Sequence, residues 1–276
     1  MLGKYNTLKV IKEVEFGVYL DGGEEFGEIL LPIRYVPPTL KPEDEIEVFI
    51  YLDSEDRIIA TTEEPYAIVG EFAYMEAVSV NKTGAFLDWG LMKDLLVPYR
   101  EQAERMKEGE KYVVYIYLDD ESRRIVATSK LNSVLDNLMP EYEEGEEVDL
   151  MVIDKTDLGY KVAVNNSHSG MLYHNELFKP IKIGDKCKGF IKKVREDDKL
   201  DITLEKPGYE KIDGLAGEIL EKLKTKGGQL DVSDKSPAEL IYKVFGTSKK
   251  NFKKAIGTLY KQRIIEITKD NIKLLK

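Results

Sequence analysis

Over its first two hundred residues the chain alternates short apolar runs with polar breaks, and most of those runs have the length and β-branched content of strands rather than helices. Residues 8–14 and 15–21 read as two successive strands, Asp21-Gly22-Gly23-Glu24-Glu25 as a turn, and residues 27–32 as a third strand. Val36-Pro37-Pro38 and Lys41-Pro42 exclude a helix between the third strand and the fourth. Residues 50–62 then hold an apolar run, an acidic break with turn formers and a second apolar run, the pattern of two strands joined by a tight turn. That pattern recurs: Ile50-Tyr51-Leu52-Asp53 returns as Ile116-Tyr117-Leu118-Asp119, and a looser copy occupies residues 189–204. The copies stand a whole domain apart, so the repeating unit is a small domain and not a solenoid turn. Five strands of this spacing, with Gly17 at the bend of the second, predict a small closed barrel of the OB type.

In the second unit, residues 78–88 and 94–98 repeat the scheme and a helical insert is expected over 99–107. Residues 130–138 have helical spacing and end at Met139-Pro140, which predicts a helical linker. The last quarter changes period. Residues 214–223 read as a helix stopped by Gly227-Gly228. Ser236-Pro237 opens a second helix running to Phe245, with Ser236 as its N-cap. Ser248 caps a third, to about Gln262, whose Phe252, Ala255, Ile256 and Leu259 share one buried face. Residues 263–267 and 271–274 form a two-stranded wing around Lys269-Asp270, completing a winged helix-turn-helix. The expected fold is mainly β with a C-terminal α+β domain: three tandem barrels at 1–65, 66–140 and 141–208, then a winged helix at 209–276.

Charge changes how this layout is read. The whole chain carries −10, but residues 209–276 hold 15 basic and 9 acidic side chains, whereas residues 1–140 hold 15 and 27. A polyanion would be drawn to the last quarter and repelled by the first half, which points the acidic half toward spacing or protein contact. On the third helix of the winged domain Lys249, Lys250, Lys253, Lys254 and Lys261 occupy the face left over from the core. Lysines in a first turn oppose the helix dipole, a penalty that a bound anion reverses. In the third unit, period-two reading puts Lys186, Lys188, Phe190 and Lys192 on one strand face, with Cys187, Gly189 and Ile191 inward. Lys193 and Arg195 extend that basic edge, although an edge strand also carries lysine to prevent aggregation.

Several classes are disfavoured. There is no phosphate-binding Gly loop, no dinucleotide fingerprint and no nucleophile elbow, so an enzyme is not expected. One cysteine, Cys187, and two histidines, His168 and His174, make neither a disulfide nor a zinc site, and no cofactor or metal is expected; the acidic run at 141–147 reads as a solvated lead-in. No apolar run approaches the roughly 20 residues of a membrane span. The N-terminal residues lack a signal-peptide core, so a cytoplasmic location is expected; the chain is also expected to be a monomer.

The third unit resembles the S1 RNA-binding domain: Asp157-Leu158-Gly159-Tyr160-Lys161-Val162, then Gly170-Met171-Leu172-Tyr173-His174-Asn175-Glu176-Leu177, then Gly184-Asp185. With residues 189–201 and 248–261, the whole chain is similar to the bacterial conserved virulence factor B family. That resemblance implies three S1 domains followed by a winged helix, single-stranded RNA as the partner, and a role in gene regulation and virulence. It assigns RNA stacking to Phe16 and Tyr19 in the first unit and to Phe86, with Trp89 nearby, in the second. In the third it leaves Tyr160 between Leu158 and Lys161, the two residues that replace the stacking pair. Where the S1 pattern often carries a binding His, the first two units have Leu30 and Leu96 and the third has Tyr173, followed by His174. The expected RNA surface is therefore these rings, Lys188, Lys192, Lys193 and Arg195, and the five lysines of the last helix. Two rival readings stay open: a DNA-binding regulator using the winged helix alone, and a protein-interaction scaffold.

Overall fold

A computed structural model describes residues 1–135, 137–177, 180–204 and 209–275, without the side chains of Glu176 and residues 209–213. The expected short link at Lys206-Pro207-Gly208-Tyr209 lies largely outside the described residues.

The first barrel is built from β1 (Tyr5–Val14), β2 (Gly17–Asp21), β3 (Glu28–Pro32), β4 (Glu45–Leu52) and β5 (Ile58–Thr61), closed in the order β1-β2-β3-β5-β4. Its core is Val10, Val18, Leu20, Ile29, Leu31, Val48 and Ile50, which alternate with outward residues as the pleat requires. The segment expected as a plain turn holds one short helix, α1 (Gly23–Phe26), and a single 3-10 turn at Ile33–Tyr35 precedes the prolines.

The second unit has β6 (Phe72–Val80), β7 (Gly84–Leu87), β8 (Leu95–Pro98), β9 (Lys111–Leu118) and β10 (Ile125–Thr128). They form one five-stranded sheet ordered β10-β9-β6-β7-β8. The expected helical insert at 99–107 is not there: only Tyr99–Glu101 makes one 3-10 turn. Gln102 takes over the local bonding, its amide donating to the Val97 carbonyl (3.0 Å) and its Oε1 accepting from the Met106 N–H (3.2 Å). The expected linker helix is likewise one 3-10 turn, Leu131–Ser133. Asn137 follows it as a polar clip. Its Nδ2 donates to the Ser169 and Asp198 carbonyls, and its Oδ1 accepts from the Ser169 N–H at 2.7 Å.

The third barrel closes β11 (Glu147–Lys155), β12 (Gly159–Val164), β13 (His168–Tyr173), β14 (Lys186–Val194) and β15 (Leu200–Thr203) in the order β11-β12-β13-β15-β14. Along β14 the pleat agrees with the sequence: Gly189 and Ile191 are buried, Lys186, Lys188 and Lys192 exposed. Cys187 is only half-buried, and burial, with help from the Asp185 charge, pushes its thiol pKa up.

The winged domain comprises α2 (Tyr209–Thr225), β16 (Gln229–Leu230), α3 (Ala238–Phe245), α4 (Lys249–Lys261), β17 (Ile265–Ile267) and β18 (Ile272–Leu274). The wing has a third strand, because β16 pairs with β18. Ser236 does not cap α3; Pro237 stands at that position, and the Ser236 hydroxyl accepts from the Ser233 N–H at 2.9 Å. Ser248 does cap α4, accepting from the Asn251 N–H, and Phe252, Ala255, Ile256 and Leu259 are buried.

Packing groups the chain into two compact units, Met1–Glu141 with Val148–Lys188 and Val194–Ile202, and Tyr142–Glu147 with Gly189–Lys193 and Thr203–Lys276. Inside the first, neighbouring barrels share cores. Phe49 and Tyr51 of β4 pack with Ala77, Leu87, Trp89 and Val114, and Phe72 and Val113 pack with Met151, Ile153 and Ala163. Among the described residues no helix is long and apolar enough to cross a membrane.

Candidate nucleic-acid interface

Each barrel repeats one construction between its second and third strands. Gly17 faces Pro32, Gly84 faces Pro98, and Gly159 faces Tyr173. A Cβ on these glycines would lie 2.1, 2.3 and 1.9 Å from the carbonyl oxygens of Leu31, Val97 and Leu172, so only glycine lets the two strands approach. Two residues on, the outward positions are Tyr19 opposite Leu30, Phe86 opposite Leu96, and Lys161 opposite Met171. This register corrects one expectation: Tyr173 is equivalent to Pro32 and Pro98, while Leu30 and Leu96 are equivalent to Met171. The offset is two residues, because the ladder makes Gly170 equivalent to Ile29 and not to Gly27.

In the first barrel Phe16 is 55% exposed and meets Tyr19 edge-on, with ring centroids 6.3 Å apart. The Lys12 ammonium sits 4.8 Å above the Tyr19 ring, and is shared with Glu28. Two rings and a cation on an open face can take an unpaired base.

Phe86 is less free. It lines a cavity of about 270 Å³ together with Thr83, Leu96 and Arg124, roofed by Leu52, Ser54 and Asp56 from the hairpin of the first barrel. Lys93 holds that roof by donating to the Asp53 carbonyl at 2.6 Å, and Arg124 pairs with Asp56. Trp89 is core: it is 3% exposed, its Nε1 donates to the Ala67 carbonyl, and its ring meets Phe49 at 5.6 Å.

The third barrel gathers Tyr160 and His174, edge to face at 5.4 Å, with the His174 Nε2 3.3 Å from the Thr156 carbonyl. Beside them the Tyr173 hydroxyl donates to Asp201 (3.2 Å) and accepts from Arg195, which also bridges Asp201 at 2.9 Å. Burial first, then the Asp201 charge, raises the Tyr173 pKa, so this phenol stays a neutral donor. Much of the expected basic edge is already engaged. Arg195 holds Tyr173 and Asp201, and Lys188 bridges Asp149 at 2.8 Å; outside that edge, Lys161 donates to Asn132 at 2.5 Å. Lys193 is exposed and has no ion-pair partner among the described residues. His168 and His174 lie at opposite ends of β13, about 20 Å apart at the strand rise, too far to act as a dyad.

On α4 the balance is reversed. Lys253 reaches Asp234 only at 3.8 Å and Lys249 donates to the Lys235 carbonyl at 3.4 Å. Lys250, Lys254 and Lys261 are exposed, with no acid within bridging distance among the described residues. No carboxylate stands in the first turn of α4 to answer its dipole, which leaves the helix start electropositive.

Small closed barrels of this strand order are OB folds, and with a winged helix they make a protein assembled from nucleic-acid-binding domains. The S1 domain model matches residues 2–63 and 69–130, and a CvfB-like winged helix domain model matches 217–274. The S1 matches fall on the first two units. Among curated proteins, Bacillus subtilis YitL, an uncharacterised protein, is 29% identical over 94% of this chain and 89% of its own length. The Staphylococcus aureus (strain N315) protein named conserved virulence factor B is 27% identical over 86% of this chain and 83% of its own. A crystal structure of a multidomain protein with nucleic acid binding domains from Streptococcus pneumoniae is 22% identical and covers 99% of this chain and 98% of that one, with a TM-score of only 0.42. The chain therefore carries S1 domains and a CvfB-like winged helix domain, and over most of its length it is similar to conserved virulence factor B.

Proposed function

We propose that this protein is a non-catalytic, cytoplasmic RNA-binding regulator that holds single-stranded RNA mainly through the third S1 barrel and the basic winged helix. The division at residues 65, 140 and 208 then separates an acidic pair of barrels from the binding half. The observation that carries the reading is the set of three ammonium groups on α4, Lys250, Lys254 and Lys261, that meet no acid among the described residues, in the one basic quarter of an acidic chain. The rings of Tyr160, Tyr173 and His174 supply stacking surface that a phosphate track alone lacks.

The test is filter binding of the full chain to single-stranded RNA, duplex RNA and duplex DNA across a salt series. Wild type is expected to prefer the single strand and to lose affinity steeply with salt. Lys250→Glu, Lys253→Glu and Lys254→Glu together should flatten the log–log salt slope by about 2, three contacts at ~0.7 each, with melting unchanged. Equal or tighter binding to duplex DNA would favour a DNA-binding regulator instead. That rival has support in the same place, since the unpaired cations cluster on the winged helix while those of the third barrel are largely engaged. Unchanged affinity in the triple variant would leave a protein-interaction scaffold as the better reading.

A further inference from the structure

The unpaired lysines of α4 surround a gap. At 3.6 residues per turn Lys250, Lys254, Gly257 and Lys261 fall on one line down the helix, opposite the buried Phe252, Ala255, Ile256 and Leu259. Gly257 lies at its middle, one turn from Lys253 and Lys254 on one side and from Lys261 on the other. It is an interior helix position where glycine is costly, because the unfolded chain loses more freedom there than alanine would. Neither obvious structural reason for a glycine applies. Its φ is not positive, and a Cβ built on it would meet nothing within 4 Å. Among the described residues nothing stands within 4 Å of that Cβ position, so the space above it is open to whatever approaches the lysines.

Of the side chains flanking this gap, Thr258 is turned back on its own helix, donating to the Lys254 carbonyl at 3.1 Å. What remains exposed along the line is ammonium groups, which fix phosphates and carry no sequence information.

We propose that Gly257 is the point at which a polynucleotide backbone seats on α4: its missing side chain lets a sugar–phosphate segment pack against the helix backbone, flanked by Lys250, Lys254 and Lys261, without regard to base identity. This rests on the nucleic-acid reading above and adds to it a positioning residue and a mode of recognition. It also accounts for a glycine that costs the domain stability.

The experiment uses the full chain, one mixed-sequence single-stranded RNA and its complement as probes, and four variants: Gly257→Ala, Gly257→Leu, Gly217→Ala and the triple Lys250/Lys253/Lys254→Glu. Gly217 in α2 is the control, another interior helix glycine whose Cβ would meet nothing. Both Gly→Ala changes should raise the melting temperature. Gly257→Ala should nevertheless weaken binding to both probes severalfold, and Gly257→Leu by about tenfold or more, equivalent to roughly 1.4 kcal/mol, while Gly217→Ala leaves it unchanged. A Gly257→Leu protein that melts normally and binds both strands as wild type does, while the triple variant binds weakly, overturns the seat and leaves the lysine reading intact. Loss confined to one of the two complementary strands overturns the sequence-independent part. If the triple variant also binds normally, the underlying reading fails together with the seat.

Discussion

At the scale of single residues the most constrained positions are Gly17, Gly84 and Gly159, each pressed against a carbonyl of the next strand. Gly159→Ala would drive a Cβ to 1.9 Å from the Leu172 oxygen, and the backbone, having no flexible end to move, must shift. The expected cost is about 1–3 kcal/mol from overpacking, read as a lower urea midpoint, with Tyr173 and His174 displaced because they continue the strand that moves. A Gly159→Ala protein with the wild-type midpoint would show that the close approach is not needed. The sequence displayed one of them plainly, Gly17 after Phe16 at the bend of the second strand, whereas Gly84 and Gly159 follow Thr83 and Leu158. What it could not display was the register across them. Counting along the chain equated Leu30 with Tyr173, whereas the ladder equates Pro32 with Tyr173, since equivalence in a barrel is fixed by the facing partner and not by distance from the next motif. The state of the cations was equally hidden: Arg195 and Lys250 look alike as letters, but one is spent on Asp201 and the other is not.

At the scale of elements, the repeated hairpin that organises the sequence is tied at its turn by its first acid. The Asp53 side chain accepts from the Glu55 and Arg57 N–H groups and pairs with the Arg57 guanidinium at 2.7 Å. Burial pushes this carboxyl up, but the hydrogen bonds from Arg57 and Glu55 outweigh it and leave the pKa below the ordinary aspartate value. A carboxyl depressed in the folded state stabilises above its unfolded pKa of about 3.9, and that contribution is lost as the pH falls through the folded value. Asp53→Asn keeps an acceptor oxygen and removes the charge, so it should cost about 0.5–1 kcal/mol near neutrality. The gap between wild type and variant should close on the acid side of about pH 4. A gap that stays constant to pH 2 would mean that the carboxylate's charge contributes nothing to the turn. The turn itself was legible from Asp53-Ser54-Glu55-Asp56 between apolar runs. The helices expected at 99–107 and 130–138 were not correct, because spacing alone cannot see that Gln102 and Asn137 bond to neighbouring backbone and draw those segments out of helical geometry.

At the scale of the whole chain, the repeat suggests independent beads, and the packing of the first compact unit argues otherwise. Along β4 the residues Val48, Phe49, Ile50 and Tyr51 are all buried, which a strand in an isolated barrel cannot be. Val48 and Ile50 fill the first barrel, while Phe49 and Tyr51 enter the core that holds Trp89. The same unbroken burial from Leu150 to Ile153 in β11 marks the contact with the second unit. Both runs are visible in the sequence as apolar stretches without alternation, and they are the signal by which shared cores could have been read there. The consequence is cooperative unfolding across the boundary near residue 65. Phe49 is fully buried, and Phe49→Ala should cost about 3–5 kcal/mol. Because Trp89 is the sole tryptophan and lies 5.6 Å from Phe49, its fluorescence reports the second unit directly. If the barrels are joined as their cores indicate, the Trp89 transition in urea moves to lower denaturant in the Phe49→Ala protein by as much as the circular-dichroism transition of the strands. A tryptophan transition that stays at its wild-type midpoint, while an earlier loss of β-structure appears, would make the first barrel an independent bead after all.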